Sequence, residues 1–121
     1  MYEPKDLALE IARVLDSKKA ENITILKVDQ LTSITDYFVI CSGRSAQAVH
    51  TLYEEVSDRM AEKGVAFRRN DGVRESRWIV LDYSSVIVHI FHPEEREHYN
   101  IERLWADGTN QVEFVPEKQE D

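Results

Sequence analysis

The chain has few of the residues that would cross-link it, interrupt it or carry it through a membrane. Of its 121 residues, one is cysteine, three are proline and four are glycine. The single cysteine, Cys41, excludes a disulfide within the chain and is typical of a protein in a reducing compartment. No apolar run approaches the roughly 20 residues that cross a bilayer. The opening residues, MYEPKDLALEIARVL, lack the pattern of a secretory leader. These absences together predict a cytoplasmic protein.

Basic residues are fewer than acidic ones, and most of the acidic excess lies at one end of the chain. The chain has 15 Lys and Arg against 23 Asp and Glu, a net charge of −8. Residues 94–121 carry nine acidic and three basic side chains, so −6 of that charge lies in this end. Such an end repels nucleic acid and attracts a basic protein. A solvated acidic tail with no partner is the alternative interpretation.

Length and apolar periodicity predict one domain of mixed helix and strand. A chain of this size is enough for a single core. Helices are predicted over about 4–19, from Ser45 to Gly64, and over about 94–106; strands are predicted at 23–29, 37–42, 66–69, 78–82 and 86–92. The order αββαβββα indicates an α/β (α+β) fold, a mixed five-stranded sheet flanked by helices. We expect the domain to occupy residues 1–110 and an acidic tail residues 111–121, where QVEFV is either a short edge strand or irregular.

The strand-to-helix turn at residues 42–45 raises one catalytic possibility. Ser-Gly-Arg-Ser between a strand and a helix resembles a phosphate-binding turn and the opening of a nucleotidyltransferase. Those enzymes also need two carboxylates one residue apart on the next strand to hold their metal ions. The acids that follow, Glu54, Glu55 and Asp58, have helical spacing, and the later strands offer Asp82 alone. The pattern predicts a nucleotidyltransferase-like fold without the catalytic carboxylates, and nucleotide binding at Gly43–Ser45 is the alternative.

Other catalytic arrangements find little support in the sequence. His89 and His92 lie three residues apart on a predicted strand, so their side chains face opposite ways and cannot chelate one ion. His89 is interpreted as a core histidine. The serines lie outside any Gly-x-Ser-x-Gly elbow, in which a strained turn would expose a nucleophile. We therefore predict a protein that is not an enzyme and needs no cofactor or metal.

The segment from Trp78 to Trp105 indicates binding. It predicts two strands, a tight turn, a stop at Pro93 and a helix, and it holds both tryptophans of the chain. Large amphipathic side chains without a nucleophile are typical of a binding surface. A second candidate surface is basic, and it could contact phosphate or form local ion pairs in a solvated loop. Its residues are Arg68, Arg69, Arg74 and Arg77.

Three motifs of the sequence resemble one known family. They are TDYFVICSGRSAQAVHTL, then W-I-V-L-D-Y-x-x-V-x-V-H-x-F, then R-x-x-Y-x-x-E-x-L-W. In this order and spacing they resemble the ribosomal silencing factor family, also called RsfS or Iojap, over about residues 4–108. Two places depart from the family pattern. Tyr83 and Ser84 stand where many relatives have a turn glycine, and Asn100 stands where Leu or Asp is common.

The resemblance implies a function without chemistry. Members bind the large ribosomal subunit through its ribosomal protein fourteen and stand in the way of the small subunit, which represses translation. Relatives form homodimers when free, and organelle relatives assist assembly of the large subunit. A minor ribosomal RNA contact through the four arginines is a further possibility. We expect the partner contact at side chains that the motifs bring together, with Trp78 and Tyr99 as anchors and Asp82 and Arg96 as polar contacts. The full set is Trp78, Asp82, Tyr83, Pro93, Arg96 and Tyr99.

Overall fold

The fold is one mixed sheet with helices on both faces. The computed structural model describes residues 2–116. In chain order its elements are α1 (Pro4–Ser17), β1 (Glu21–Lys27), β2 (Tyr37–Ser42), α2 (Ala46–Glu62), β3 (Arg69–Asp71), β4 (Trp78–Asp82), β5 (Val86–Phe91), α3 (Pro93–Tyr99), α4 (Ile101–Trp105) and β6 (Gln111–Val112). The strands lie in the order β3-β4-β5-β2-β1-β6. Only β2 and β5 pair in parallel among these strands, so the predicted single domain with a mixed sheet is confirmed.

The sheet has one strand more than predicted in the part of the chain that the structure describes. β6 pairs antiparallel with β1, with Ile25 opposite Val112. Asn110 fixes this pairing, because its amide donates to the Lys27 carbonyl at 2.9 Å and its own carbonyl accepts from the Lys27 N–H at 2.8 Å. The predicted acidic tail, 111–121, therefore begins with a strand of the sheet. Residues 117–121 of that tail lie outside the described residues.

The first face of the sheet carries the main core. Apolar side chains of α1 and α2 pack there against inward-facing residues of β2, β4 and β5. All six residues of β2 are buried, as the continuous apolar run at 37–42 predicts. The turn between β2 and α2 is tight enough to require glycine, because a Cβ on Gly43 would lie 2.8 Å from the Val49 backbone nitrogen. Ser45 then caps α2, its hydroxyl accepting from the Ala48 N–H at 3.1 Å.

Two short helices cover part of the second face, where the sequence predicts one helix. The predicted helix over 94–106 is interrupted at Asn100, which has a left-handed backbone with φ 44° and ψ 54°. Asparagine tolerates this conformation better than most residues, so the chain ends α3 and begins α4 at this point. Ile101 and Trp105 of α4 then pack with Phe38 and Phe91 in a second, smaller core.

Two strand positions differ from the prediction. The weak strand expected at 66–69 lies at 69–71, and that expected at 23–29 lies at 21–27. β3 ends where Gly72 takes φ +77° and passes close to β4; a Cβ on Gly72 would lie 2.0 Å from the Trp78 carbonyl oxygen. This close approach is a tertiary constraint, which local propensity does not reveal. None of the helices within residues 2–116 is long and apolar enough to span a membrane.

Candidate protein-interaction surface

Half of the second sheet face is not covered by a helix. α3 and α4 lie over the smaller core, whereas the part formed by β3, β4 and the start of β5 is open. Because side chains alternate along a strand, Trp78, Val80 and Asp82 of β4 share this face. A groove of about 330 Å³ runs along it. The groove is lined by Arg69, Asn70, Asp71, Val80, Asp82 and Ile87.

An aromatic platform stands at one end of this groove. We use this name for Trp78 and Tyr99 together with the buried rings of His89 and Phe91. The Trp78 ring stacks on Phe91 with centroids 4.9 Å apart and planes 24° apart, and Tyr99 contacts it from α3 at 4.8 Å. Trp78 is partly exposed and Tyr99 is 49% exposed. The platform thus presents two large, ordered, amphipathic side chains to solvent.

His89 fixes the indole of Trp78. The Trp78 Nε1–H donates to His89 Nδ1 at 3.1 Å, so the neutral ring carries its proton on Nε2. That Nε2 is buried and has no hydrogen-bond partner within the described chain. Burial lowers the pKa of His89 from 6.5 to about 4, which keeps the ring neutral near pH 7. The prediction that His89 is a core histidine with a satisfied ring nitrogen is confirmed, but it does not identify Trp78 as the partner, because the indole lies eleven residues away on the neighbouring strand.

Asp82 lies at the opposite end of the groove and is mostly engaged within the chain. Its Oδ1 accepts from the Ser84 N–H at 2.8 Å, which stabilises the left-handed turn at Ser84 with φ 72°. Its Oδ2 accepts from Arg69 Nε at 3.3 Å, and the Arg69 side chain is 75% exposed. The carboxylate therefore stabilises the turn between β4 and β5, and its ion pair with Arg69 is exposed at the groove.

Arg96 points into the molecule. Its side chain is only 12% exposed. Its Nε and Nη2 donate to Glu102 Oε2 at 3.1 and 2.9 Å. Its Nη1 donates to Ser42 Oγ at 3.1 Å, and Nη2 also lies 3.4 Å from Thr24 Oγ1. The guanidinium thereby joins α3 to α4, β2 and β1, and these internal partners occupy the donors expected to meet a partner protein.

The other two predicted contact residues lie in different places. Pro93 is exposed at the first position of α3, beside the platform, where its fixed φ suits a helix start. Tyr83 is 6% exposed and belongs to the main core on the first face, where its ring meets Phe67 edge-on at 6.4 Å. Burial raises the pKa of the Tyr83 hydroxyl, so it stays protonated. The structure thus brings Trp78, Asp82, Pro93 and Tyr99 to one face and separates Tyr83 from them.

The four arginines of the basic segment do not form one patch of unpaired charge. Arg69 pairs with Asp82, and Arg77 donates to Glu94 at 2.8 Å and lies 2.7 Å from Glu95. The hydrogen bond from Arg77 lowers the pKa of Glu94. Arg68 is exposed, with Ser84 Oγ at 3.4 Å, and Arg74 is also exposed. Two of the four arginines, Arg69 and Arg77, therefore form local ion pairs, which is the simpler of the two interpretations.

Two further places have some features of a ligand site. His92, Glu94 and Glu95 place potential metal ligands within 4.8 Å of one another. The Arg77 guanidinium already lies against both of those carboxylates, so a side chain of the protein balances one of their two charges. A cavity of about 380 Å³ lies at the start of α2, beside Gly43–Ser45. Lys18, Lys19 and Arg44 give it positive charge, which suits an anion.

Comparisons with known proteins point to a single family. A family model described as "Ribosomal silencing factor during starvation" matches residues 2–121. A Bacillus subtilis (strain 168) protein named "Ribosomal silencing factor RsfS" is 38% identical over 97 residues, 80% of this chain and 82% of the relative. A Mus musculus protein named "Mitochondrial assembly of ribosomal large subunit protein 1" is 28% identical over 99 residues, 79% of this chain and 43% of the relative. A crystal structure of a Chromobacterium violaceum protein superposes with a TM-score of 0.85 at 26% identity, covering 97% of this chain and 98% of that one.

Proposed function

Because the chain belongs to the ribosomal silencing factor family, we propose that it binds the large ribosomal subunit through ribosomal protein fourteen of that subunit. In this position it prevents the small subunit from joining and so represses translation. The observation that carries the proposal is the open half of the second sheet face, where the aromatic platform adjoins a groove. The action is steric and needs no catalytic step, which agrees with the prediction that the protein is not an enzyme.

The size of the surface suits a specific protein contact. A standard interface buries about 800 Å² on each partner. The described part of the chain exposes 7516 Å², so such a contact takes about a tenth of it. Trp78 and Tyr99 are already held in place by neighbouring rings. Binding therefore costs little additional side-chain entropy at these two anchors.

Charge favours a basic partner such as a ribosomal protein. The net charge is −8, and most of it lies in residues 94–121, which begin beside the platform. Opposite charge accelerates encounter and orients the partner, whereas nucleic acid is repelled. This agrees with recognition of a protein component of the ribosome and with at most a minor contact to ribosomal RNA.

The proposed contact set keeps four of the predicted residues and adds two. Tyr83 is left out because it is buried on the other face, and Arg96 because its donors are used inside the protein. Val80 and Ile87 are added because they are partly exposed apolar residues in the groove. The set is then Trp78, Val80, Asp82, Ile87, Pro93 and Tyr99.

Sedimentation with separated ribosomal subunits tests the proposal. We expect the wild-type protein to travel with the large subunit and to diminish the joined-particle peak. Trp78→Ala and Tyr99→Ala should each weaken binding by at least about 30-fold, the effect of an anchor worth about 2 kcal/mol. Lys5→Ala is the control and should bind as wild type, because Lys5 is an exposed residue of α1, on the other side of the sheet. Normal joining of subunits at saturating protein would refute the steric mechanism.

A second candidate function is assistance in assembling the large subunit. The name of the mouse relative favours it. An assembly factor would bind immature large-subunit particles in preference to mature ones, and its loss would cause such particles to accumulate. Comparing the two particles in the same sedimentation experiment separates the functions. The predicted homodimer and the cytoplasmic location stay predictions, and sedimentation equilibrium of the isolated protein tests the first.

Nucleotide binding at Gly43–Ser45 is the remaining alternative. Its support is the basic cavity at the start of α2. Calorimetry with nucleoside triphosphates and magnesium tests it directly. Stoichiometric heat of binding would revive a nucleotide-dependent role, and its absence would leave the steric function as proposed.

A further inference from the structure

We infer that Arg96 is the positioning residue of the platform, acting through Glu102 to hold Tyr99 against Trp78. The expected effect of Arg96 on partner binding rests on the proposed function, whereas the positioning of Tyr99 rests on the contacts of α3 and α4 alone. It assigns the arginine of the R-x-x-Y-x-x-E motif an internal role in place of a contact with the partner.

The helix that carries Tyr99 is poorly anchored by apolar contacts. α3 has seven residues and α4 has five. Isolated helices shorter than about 12 residues are marginal in water. α4 has Ile101 as a buried anchor, whereas none of the residues of α3 is buried. Besides the ring contact of Tyr99 with Trp78, polar contacts therefore hold α3 on the sheet.

Arg96 supplies polar contacts to three other elements, in addition to the ion pairs that Arg77 forms with Glu94 and Glu95 at the start of α3. It reaches Glu102 on α4, Ser42 on β2 and Thr24 on β1. The guanidinium uses Nε and Nη2 on one carboxylate oxygen of Glu102 and turns Nη1 to Ser42. A lysine keeps the positive charge but has a single nitrogen on a flexible stem, so it cannot reproduce this planar arrangement.

The ion pair spans the left-handed break at Asn100 and so fixes the angle between the two helices. Arg96 lies before the break and Glu102 after it. Tyr99, three residues after Arg96, is its neighbour on the helix surface. Restraining Arg96 thus restrains the Tyr99 ring, whose centroid is 4.8 Å from that of Trp78.

Loss of one partner leaves the other in an unfavourable environment. Glu102 Oε1 is buried and makes no hydrogen bond among the described residues, so Arg96 supplies the side-chain hydrogen bonds to this carboxylate. Removing the arginine leaves a partly buried carboxylate without its cation, which is the costly way to break such a pair. We expect local release of α3 and α4, because the main core on the other face does not involve these helices.

The test measures local order and binding separately. The variants are Arg96→Met, Arg96→Lys and Glu102→Gln, with Arg103→Met as control because Arg103 is an exposed arginine on α4. Amide hydrogen exchange over residues 93–105 should accelerate at least about tenfold in Arg96→Met, the factor that corresponds to about 1.4 kcal/mol. Exchange in α1 and α2 should stay as in wild type. Arg96→Lys should lie between Arg96→Met and wild type, and Arg103→Met should match wild type.

Fluorescence and binding complete the test. In a Trp105→Phe background, acrylamide should quench Trp78 more strongly once Arg96 is replaced by Met. Affinity for purified large ribosomal subunits should fall at least about tenfold in the same variant. Unchanged exchange over 93–105, or an equal rise in every element, would overturn the positioning role. If the wild type does not bind the subunits at all, the proposed function fails, while exchange and quenching still decide the role of Arg96.

Discussion

Acid should destabilise this protein through one buried ring, His89. Its pKa is lowered from 6.5 to about 4 by burial, so the folded state resists the proton that the unfolded chain accepts. Its contribution to stability is therefore complete above pH 6.5 and is lost progressively as the pH falls towards 4. Below about pH 4 both states are protonated and no more is lost. Over that window the cost is about 3 kcal/mol, at about 1.4 kcal/mol per pH unit.

The hydrogen bond to Trp78 also disfavours protonation of His89 in the folded state. His89 Nδ1 accepts the indole N–H at 3.1 Å. A protonated imidazole has donors on both nitrogens, so two donors would face each other at that distance. The imidazole is also enclosed by Phe38 and Phe91, which offer a cation no carboxylate. A loss of this size is a substantial part of the 5–15 kcal/mol typical of a folded domain.

Denaturant unfolding of wild type and His89→Gln between pH 8 and 3.5 measures the effect. Glutamine offers a carbonyl oxygen to the indole and does not titrate. Because the carboxylates and the other histidines are common to both proteins, their contributions cancel in the difference between the two unfolding free energies. That difference should be constant above pH 6.5 and shift by about 3 kcal/mol against wild type by pH 4. A difference that does not vary with pH would show that His89 is not held neutral by the fold.

Three further predictions concern single positions. Gly72→Ala should destabilise the protein by several kcal/mol, because a clash with the Trp78 carbonyl adds to backbone strain of about 1–3 kcal/mol at φ +77°. Gly108→Ala should show the strain alone, because Gly108 has φ +88° and open space around it. Equal losses of unfolding free energy in urea for the two variants would contradict the clash. Ser45→Ala should cost about 1 kcal/mol by removing the N-cap of α2, as a lower urea midpoint with an unchanged slope. Cys41, whose pKa is raised to about 12 by burial, should resist a thiol reagent at pH 8 until the protein unfolds, and rapid labelling of the native state would contradict this.

Local signals in the sequence predict the elements that they control directly. α2 begins at Ala46 after the Ser45 cap, and the left-handed Gly64, at φ +83°, follows its end. β2 is buried on both faces, as its unbroken apolar run indicates. In both cases the determining residues lie within the element or beside it. The fold class follows from such elements, since their order restricts the ways in which one sheet can be covered.

The features that sequence reasoning missed or left open depend on distant partners. β6 has two residues, and its pairing with β1 relies on Asn110 bonded to Lys27, 83 residues away. The predicted last helix is divided because Asn100 adopts a left-handed conformation. Asparagine tolerates this conformation but does not require it, so the residue type alone does not predict the break. The exposure of Val80 and Ile87 follows from the helices leaving half of one sheet face open, so no local pattern distinguishes them from core residues.

Arg96 shows that a motif residue expected at a partner contact can have its donors satisfied inside the protein. A guanidinium beside aromatic residues is typical of an interface, and its direction is decided by Thr24 and Ser42, 72 and 54 residues earlier in the chain. Within R-x-x-Y-x-x-E-x-L-W, Arg96 and Glu102 bind each other, and Trp105 meets Phe38 edge-on at 5.1 Å. Of the five residues that the motif specifies, only Tyr99 and Leu104 are exposed. The spacing of such a motif therefore records mainly the side chains that hold one another, and the proposed contact residue Tyr99 is one of those that they leave exposed.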